Sequence, residues 1–267
     1  MSDATFYAVA VGSLALIILW EWRVPSFRRG IFGDRRKAVR NWSYLASILV
    51  TMVGIRMVSG GMEGAVPRLI SLEGLFVLDI AGVFLTAELM NYGIHYLKHR
   101  HGYLWRFHFQ HHRETDYNIW LTAHLHGLEV FVSGCAMSAV LVLAGFSSLA
   151  TQIYFLFYSA ANTYQHSGTA ISLGFLDWLI VSPRYHRLHH AVKMRGNFGS
   201  TLTVWDIVFG TAQWPKTKDA GMRTGIRESG EPYGFWSEIT YFLRRGRVRS
   251  GRTEAIEGMS AISPIRR

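Results

Sequence analysis

One cysteine stands in 267 residues, so the chain alone builds no internal disulfide, no paired-cysteine zinc site and no iron–sulfur cluster. Cys135 sits in an apolar run and reads as a small packing residue. Charge is scarce: Asp, Glu, Lys and Arg make up 17%, against roughly 25% in a typical soluble domain. No GxGxxG follows a strand pattern and no CxxCH occurs, so no dinucleotide fold or attached haem is built in. No HExxH is present, which removes the zinc-hydrolase pattern. Histidine is missing from the first 94 residues. What fills the chain is apolar, with 49% hydrophobic and 14% aromatic residues. Mean hydropathy is only +0.14, because polarity is gathered into a few blocks between long apolar runs.

Five such runs are read, at residues 4–20, 44–58, 69–97, 128–144 and 149–161. The first is about 17 residues, near the lower limit for about 30 Å of hydrocarbon. Asp3 ahead of it is acidic, so an uncleaved anchor is expected rather than a signal peptide. Residues 23–40 carry seven Lys or Arg against one Asp. Positive charge stays on the cytoplasmic side, which fixes an external N-terminus and delivers residues 95–126 to the cytoplasm. The last two runs form a hairpin about "GFSS", so everything after about His166 is cytoplasmic too. The basic "RRGRVRSGR" then obeys the same rule. "ISLGFLDWLIVSP" is short enough to lie in the interface, and "FWSEITYFLRRGRV" reads as an amphipathic helix on the membrane. Asp79 and Glu88 are costly inside a span unless partnered. Asp79 is expected to pair with Arg56, and Glu88 to hold a histidine.

All twelve histidines fall on that one side, six of them within "HYLKHRHGYLWRFHFQHH", residues 95–112. His95 and His99 share a helix face at a spacing of four. Glu88 and Tyr92 extend that face into a polar stripe. His108, His111 and His112 form HxxHH; His186, His189 and His190 form it again; His166 stands between. A lone His101 reads as a solvated side chain, and a single HxxxH arises by accident. Two HxxHH boxes plus HxxxH on one side of a membrane do not. One first-row ion takes four to six ligands, so nine or ten histidines imply two ions, with iron, zinc, copper and nickel all admitted by neutral imidazole.

The stretches "ELMNYGIHYLKH" (88–99), "HFQHH" (108–112), "LTAHLHGLE" (121–129), "YQHSG" (164–168), "PRYHRLHH" (183–190) and "GNFGSTLTVWDIVFGT" (196–211), in this order, resemble the fatty acid hydroxylase/sterol desaturase superfamily of integral-membrane di-iron oxygenases. The resemblance implies metal ligation, and with it catalysis, by His95, His99, His108, His111, His112, His166, His186, His189 and His190, with His126 a tenth metal ligand. Glu88, Tyr92, Asn162 and Asp206 are implied as supporting groups behind the ligands, and Asn197 as a loop-fixing one. Gly127 stands where the family has proline and His124 where arginine is common. The implied cofactors are two iron ions, with zinc admitted in the purified protein, and O2. The implied reaction is hydroxylation of a C–H bond in a fatty acyl chain, sterol or related lipid, with desaturation as the alternative. Electrons must come from a separate ferredoxin, cytochrome or flavoprotein reductase, and no nucleic-acid partner is expected.

The expected fold is an all-α membrane protein of about four to five transmembrane helices, its histidine-rich dimetal site carried by a cytoplasmic helical cap. Its parts are residues 1–68 (N-terminal helices with a basic loop), 69–215 (catalytic) and 216–267 (cytoplasmic tail). A bacterial inner membrane is the expected location. A transporter would place ligands near the bilayer midplane, whereas these lie at helix ends. A non-redox metal-binding membrane protein is the remaining alternative.

Overall fold

The computed structural model describes residues 3–62, 65, 67, 69, 75–169, 171–191, 196–215, 223–225 and 234–243. Its helices are α1 (Asp3–Glu21), α2 (Pro25–Phe32), α3 (Arg35–Met62), α4 (Phe76–Arg100), α5 (Gly102–Arg113), α6 (Gly127–Ala144), α7 (Ser148–Gln165), α8 (Pro183–His189), α9 (Val204–Val208) and α10 (Phe235–Ile239). Among the described residues there is no strand, only isolated bridges such as Ile180 with Leu202. Each of the five apolar runs contains a helix, which in the third begins at Phe76. Three helices, α3, α4 and α6, are long and apolar enough to cross a membrane, and α1 adds a shorter apolar stretch, Val11–Glu21. Their outer faces stay bare: Val50 and Met57 on α3 and Val77 on α4 are each more than 70% exposed. Such faces are stable in lipid, where apolar contact costs nothing. This is an all-α integral membrane protein.

Local chemistry sets the helix ends. Ser147 accepts from the Ala150 N–H at 3.1 Å and starts α7, the role short hydroxyl side chains play at helix N-caps. Gly145, at φ 84, ends α6 in a left-handed turn that a side chain would strain. Asp79 of α4 accepts from both the N–H and the hydroxyl of Ser147. It therefore pins the α6–α7 turn and is not the partner of Arg56. Its buried charge is met by a polar turn rather than by a cation.

Between α4, α6 and α7 lies an apolar core of Val83, Ala87, Met137, Leu141, Ala150 and Tyr154. A second cluster, Phe27, Ile119 and Trp120, fixes α2 beneath the 3-10 turn Ile119–Thr122. The segment Phe235–Leu243 is a short helix and 3-10 turn tied into the bundle: buried Glu238 receives Arg40 Nε at 2.8 Å and Tyr44 hydroxyl at 2.7 Å, while Trp236 and Leu243 stay exposed. Residues 171–183 form no long helix. They make a 3-10 turn, Gly174–Trp178, with Phe175 and Trp178 exposed. The basic stretch 244–252 and most of 216–234 lie outside the described residues.

Candidate metal centre

Helix α4 stops at His101, whose extended backbone (φ −106, ψ 115) breaks the helix before α5. The break sends α5 back against α4. The paired faces carry His95 and His99 from α4, and His108, His111 and His112 from α5. His166 ends α7, and α8 supplies His186, His189 and His190.

These nine side chains sort into two groups. His95, His99, His108, His112 and His189 form one; His111, His166, His186 and His190 form the other; within each, one ligand atom per residue lies within 4.8 Å of the rest. Helix geometry explains the division. In each HxxHH the first and last imidazoles are four apart and share a group, while the middle one crosses to the other. Thus His108 and His112 join the first group and His111 the second; His186 and His190 join the second and His189 the first.

The outer nitrogens fix the tautomers. Nδ1 of His95 donates to the Phe198 carbonyl at 3.0 Å, His111 to Leu121 at 3.2 Å, His166 to Asn162 at 2.7 Å and His189 to Gly196 at 2.8 Å. A carbonyl oxygen only accepts, so each Nδ1 holds the proton and each Nε2 keeps its lone pair. His108 Nδ1 donates at 3.0 Å to Glu129, which Lys98 also holds at 2.5 Å. Burial drives the imidazoles of α5, α8 and His166 towards the neutral form, with His166 and His189 pushed down to about 4. Their lone pairs are therefore free at neutral pH.

Inside the groups the inner nitrogens face one another. His111 Nε2 and His166 Nε2 stand 3.3 Å apart, yet both protons have gone to Nδ1. His166 Nε2 is 3.0 Å from His186 Nε2, and His189 Nε2 is 3.2 Å from His112 Nε2. Nε2 of His95, His99 and His108 is buried with no hydrogen-bond partner. Two lone pairs at such a distance repel unless an electrophile lies between them. Nitrogens bound about 2.1 Å from one tetrahedral or octahedral ion sit about 3.0–3.4 Å apart. The donor set fits two cations of the imidazole-binding kind.

Other expected residues take different places. His126 joins neither group: Nδ1 accepts from the Leu128 N–H at 3.1 Å to start α6, and Nε2 donates to the Ile239 carbonyl at 2.9 Å. Glu88 touches no histidine. It accepts from Thr201 N–H and hydroxyl (3.1 and 2.6 Å), Leu202 N–H (3.0 Å) and Tyr154 hydroxyl (2.9 Å), clamping the loop whose Phe198 carbonyl orients His95. Tyr92 stacks on Phe209 and meets the Thr211 hydroxyl at 3.0 Å. The Asn162 amide oxygen accepts from Gln165 at 2.6 Å, so only its backbone carbonyl serves His166. Asp206 accepts from Phe198 and Gly199 N–H, both at 2.7 Å, and Asn197, at φ 58, ties Tyr185 and Gln213 together. Spacing does not mark Glu129, Lys98 or the 3-10 turn at Leu121. Only the family-like stretches 88–99 and 121–129 hint at them.

Comparison with known proteins agrees with this geometry. The family model described as fatty acid hydroxylase matches residues 80–211, which hold every member of both groups. The chain is 28% identical over 215 residues to alkylglycerol monooxygenase of Xenopus tropicalis, covering 79% of this chain and 47% of that protein. It is 30% identical over 174 residues to ornithine lipid hydroxylase OlsE of Rhizobium tropici, covering 61% and 50%. The human alkylglycerol monooxygenase is 27% identical over 132 residues, covering 48% and 29%. The chain thus spans half or less of the length of these relatives. No solved structure matches it. With two histidine groups at the ends of membrane helices and these likenesses, the chain belongs to the fatty acid hydroxylase/sterol desaturase superfamily.

Proposed function

We propose that this protein is a di-iron oxygenase that hydroxylates a C–H bond in a membrane lipid. The carrying observation is the convergence of nine imidazoles in two groups, five and four strong, with Nε2 of His95, His108, His111, His166 and His189 left unprotonated. The relatives named as a monooxygenase acting on alkylglycerols and a hydroxylase acting on ornithine lipids support a lipid substrate. The net reaction is R–H + O2 + 2 e⁻ + 2 H⁺ → R–OH + H2O, with electrons from a separate ferredoxin, cytochrome or flavoprotein. Desaturation, through loss of a second hydrogen, is the alternative at the same site.

Bound iron would supply O2 activation; the chain supplies its placement. His95, His99, His108, His112 and His189 would hold one ion, and His111, His166, His186 and His190 the other. Backbone carbonyls of Phe198, Leu121, Asn162 and Gly196 hold the imidazole rings in register, and Glu129 does this for His108, raising its donor strength. Burial keeps water from the ligands. We read residues 69–215 as the catalytic unit, flanked by 1–68 and a 216–267 tail, with α1 and α7 crossing the bilayer beside the three long spans. The site faces the cytoplasm, of a bacterial inner membrane, where lipid arrives from the helices and reductant from solution.

The test is metal content and Mössbauer spectra of detergent-purified protein loaded anaerobically with Fe(II), before and after O2. Two irons per chain that oxidise together, and fail to in His111→Ala and His189→Ala, support the reading; lipid products are then sought by mass spectrometry. Protein that holds only zinc, with no Fe(II) reaction, sinks it in favour of a non-redox metal-binding role.

A further inference from the structure

Electrons for such a reaction must cross from solution to a centre in which seven of the nine histidines are buried and His95 and His99 are half-buried, so a route is sought among the groups touching them. Among the described residues, three rings other than imidazoles pack on the nine histidines: Tyr117, Phe198 and Trp105. Tyr117 and Phe198 are only 7% and 8% exposed. Trp105 alone is half-buried, bridging ligand and surface. Its ring centroid lies 5.1 Å from His99, 5.3 Å from His112 and 6.3 Å from His108, three members of the five-histidine group.

The surface around it has a definite character. At the α4–α5 corner Leu97, Tyr103 and Leu104 are 44%, 63% and 37% exposed. Arg100 and His101 are exposed beside them, and Arg106 follows one residue after Trp105. No Asp or Glu stands in sequence between Glu88 and Glu114. An apolar patch with a basic rim suits brief contact with an acidic protein, since opposite charge speeds encounter and a small interface permits release.

We propose that the α4–α5 corner is the docking site of the electron donor, a small acidic one-electron carrier, and that Trp105 passes each electron from it to the ion held by His95, His99, His108, His112 and His189. Each transfer oxidises the carrier and reduces one ferric ion to ferrous; two transfers ready the centre for one turnover. This rests on the oxygenase reading above.

The experiment uses full-length protein in phosphatidylcholine nanodiscs and a photoreduced plant-type [2Fe–2S] ferredoxin as probe, followed anaerobically by stopped flow. Trp105→Leu is expected to keep two irons and the wild-type rate with dithionite, a small reductant that needs no docking, while reduction by ferredoxin slows at least tenfold. Trp105→Tyr restores most of that loss. Unchanged ferredoxin rates in Trp105→Leu, or a parallel fall with dithionite, overturn the proposal. If the protein takes up no iron, the oxygenase reading fails separately, and docking is decided on metal-free protein with gallium-substituted ferredoxin. Binding weakened about tenfold by Arg100→Glu supports the corner. Binding indifferent to that change, or an effect of Arg100→Glu confined to stability in phosphatidylglycerol discs, assigns the charge to lipid headgroups and overturns it.

Discussion

Glu129 and Glu114 show how differently two buried carboxylates serve one centre. Glu129 is shared between Lys98 and His108, so it sets a ligand's tautomer without meeting the metal. Removing such a partner costs about 10–100-fold in metal affinity. Glu129→Ala should weaken iron binding by that factor and Glu129→Gln by less, measured by competition with a chelator. Glu114 is structural. Burial alone would raise its pKa, but Arg40 and Lys37 beside it outweigh burial and hold it at about 2, against an ordinary 4.5. A carboxyl lowered on folding stabilises above its unfolded pKa, and that contribution is lost as pH falls through the folded value. Thermal unfolding of Glu114→Gln should show a deficit of about 3 kcal/mol at pH 7, the scale of a broken buried pair. That deficit should shrink between about pH 4.5 and pH 2. A constant deficit across that range would contradict this account.

Elements carry the division of labour that single residues cannot. The apolar runs, the α6–α7 hairpin and the histidine boxes are legible in the sequence because each is a local pattern of spacing or hydropathy. Which imidazole joins which group and where Asp79 finds a partner are not, because those contacts join segments far apart in sequence; the orienting carbonyls, even one as near as Asn162 to His166, depend on backbone geometry that spacing does not show. Asp79 and Ser147 are 68 residues apart. His126 misleads for a related reason: its surroundings look like a ligand box, but local geometry spends it on starting α6. Ser147→Ala removes the α7 cap, worth about 1 kcal/mol, and strips a donor from buried Asp79, worth about 1–3 kcal/mol more. A drop of about 2–4 kcal/mol is expected by thermal denaturation in detergent, and Ser147→Thr should recover most of it.

At the scale of the whole molecule, ion pairs show which segments share one end of the helix bundle. Lys37 and Arg40, at the start of α3, pair with Glu114 and Asp116 just after α5. The basic loop and the histidine segment therefore occupy the same end of the bundle. Gly60 lies near the other end of α3, where an added side chain would meet open space. In a Cys135→Ser background, Arg36→Cys and Tyr103→Cys should react with an impermeant maleimide only from the cytoplasmic side. Gly60→Cys should react only from outside, tested in intact cells and inverted vesicles. Labelling of all three from one side would overturn the topology.

The crossing of the middle histidine in each HxxHH box bears on how such a protein can change over generations. A helix advances about 100° and 1.5 Å per residue. One residue inserted inside either box would therefore put its histidines about 100° out of register with one another. Such an insertion costs at least one group a member, so chain length can drift only outside residues 108–112 and 186–190.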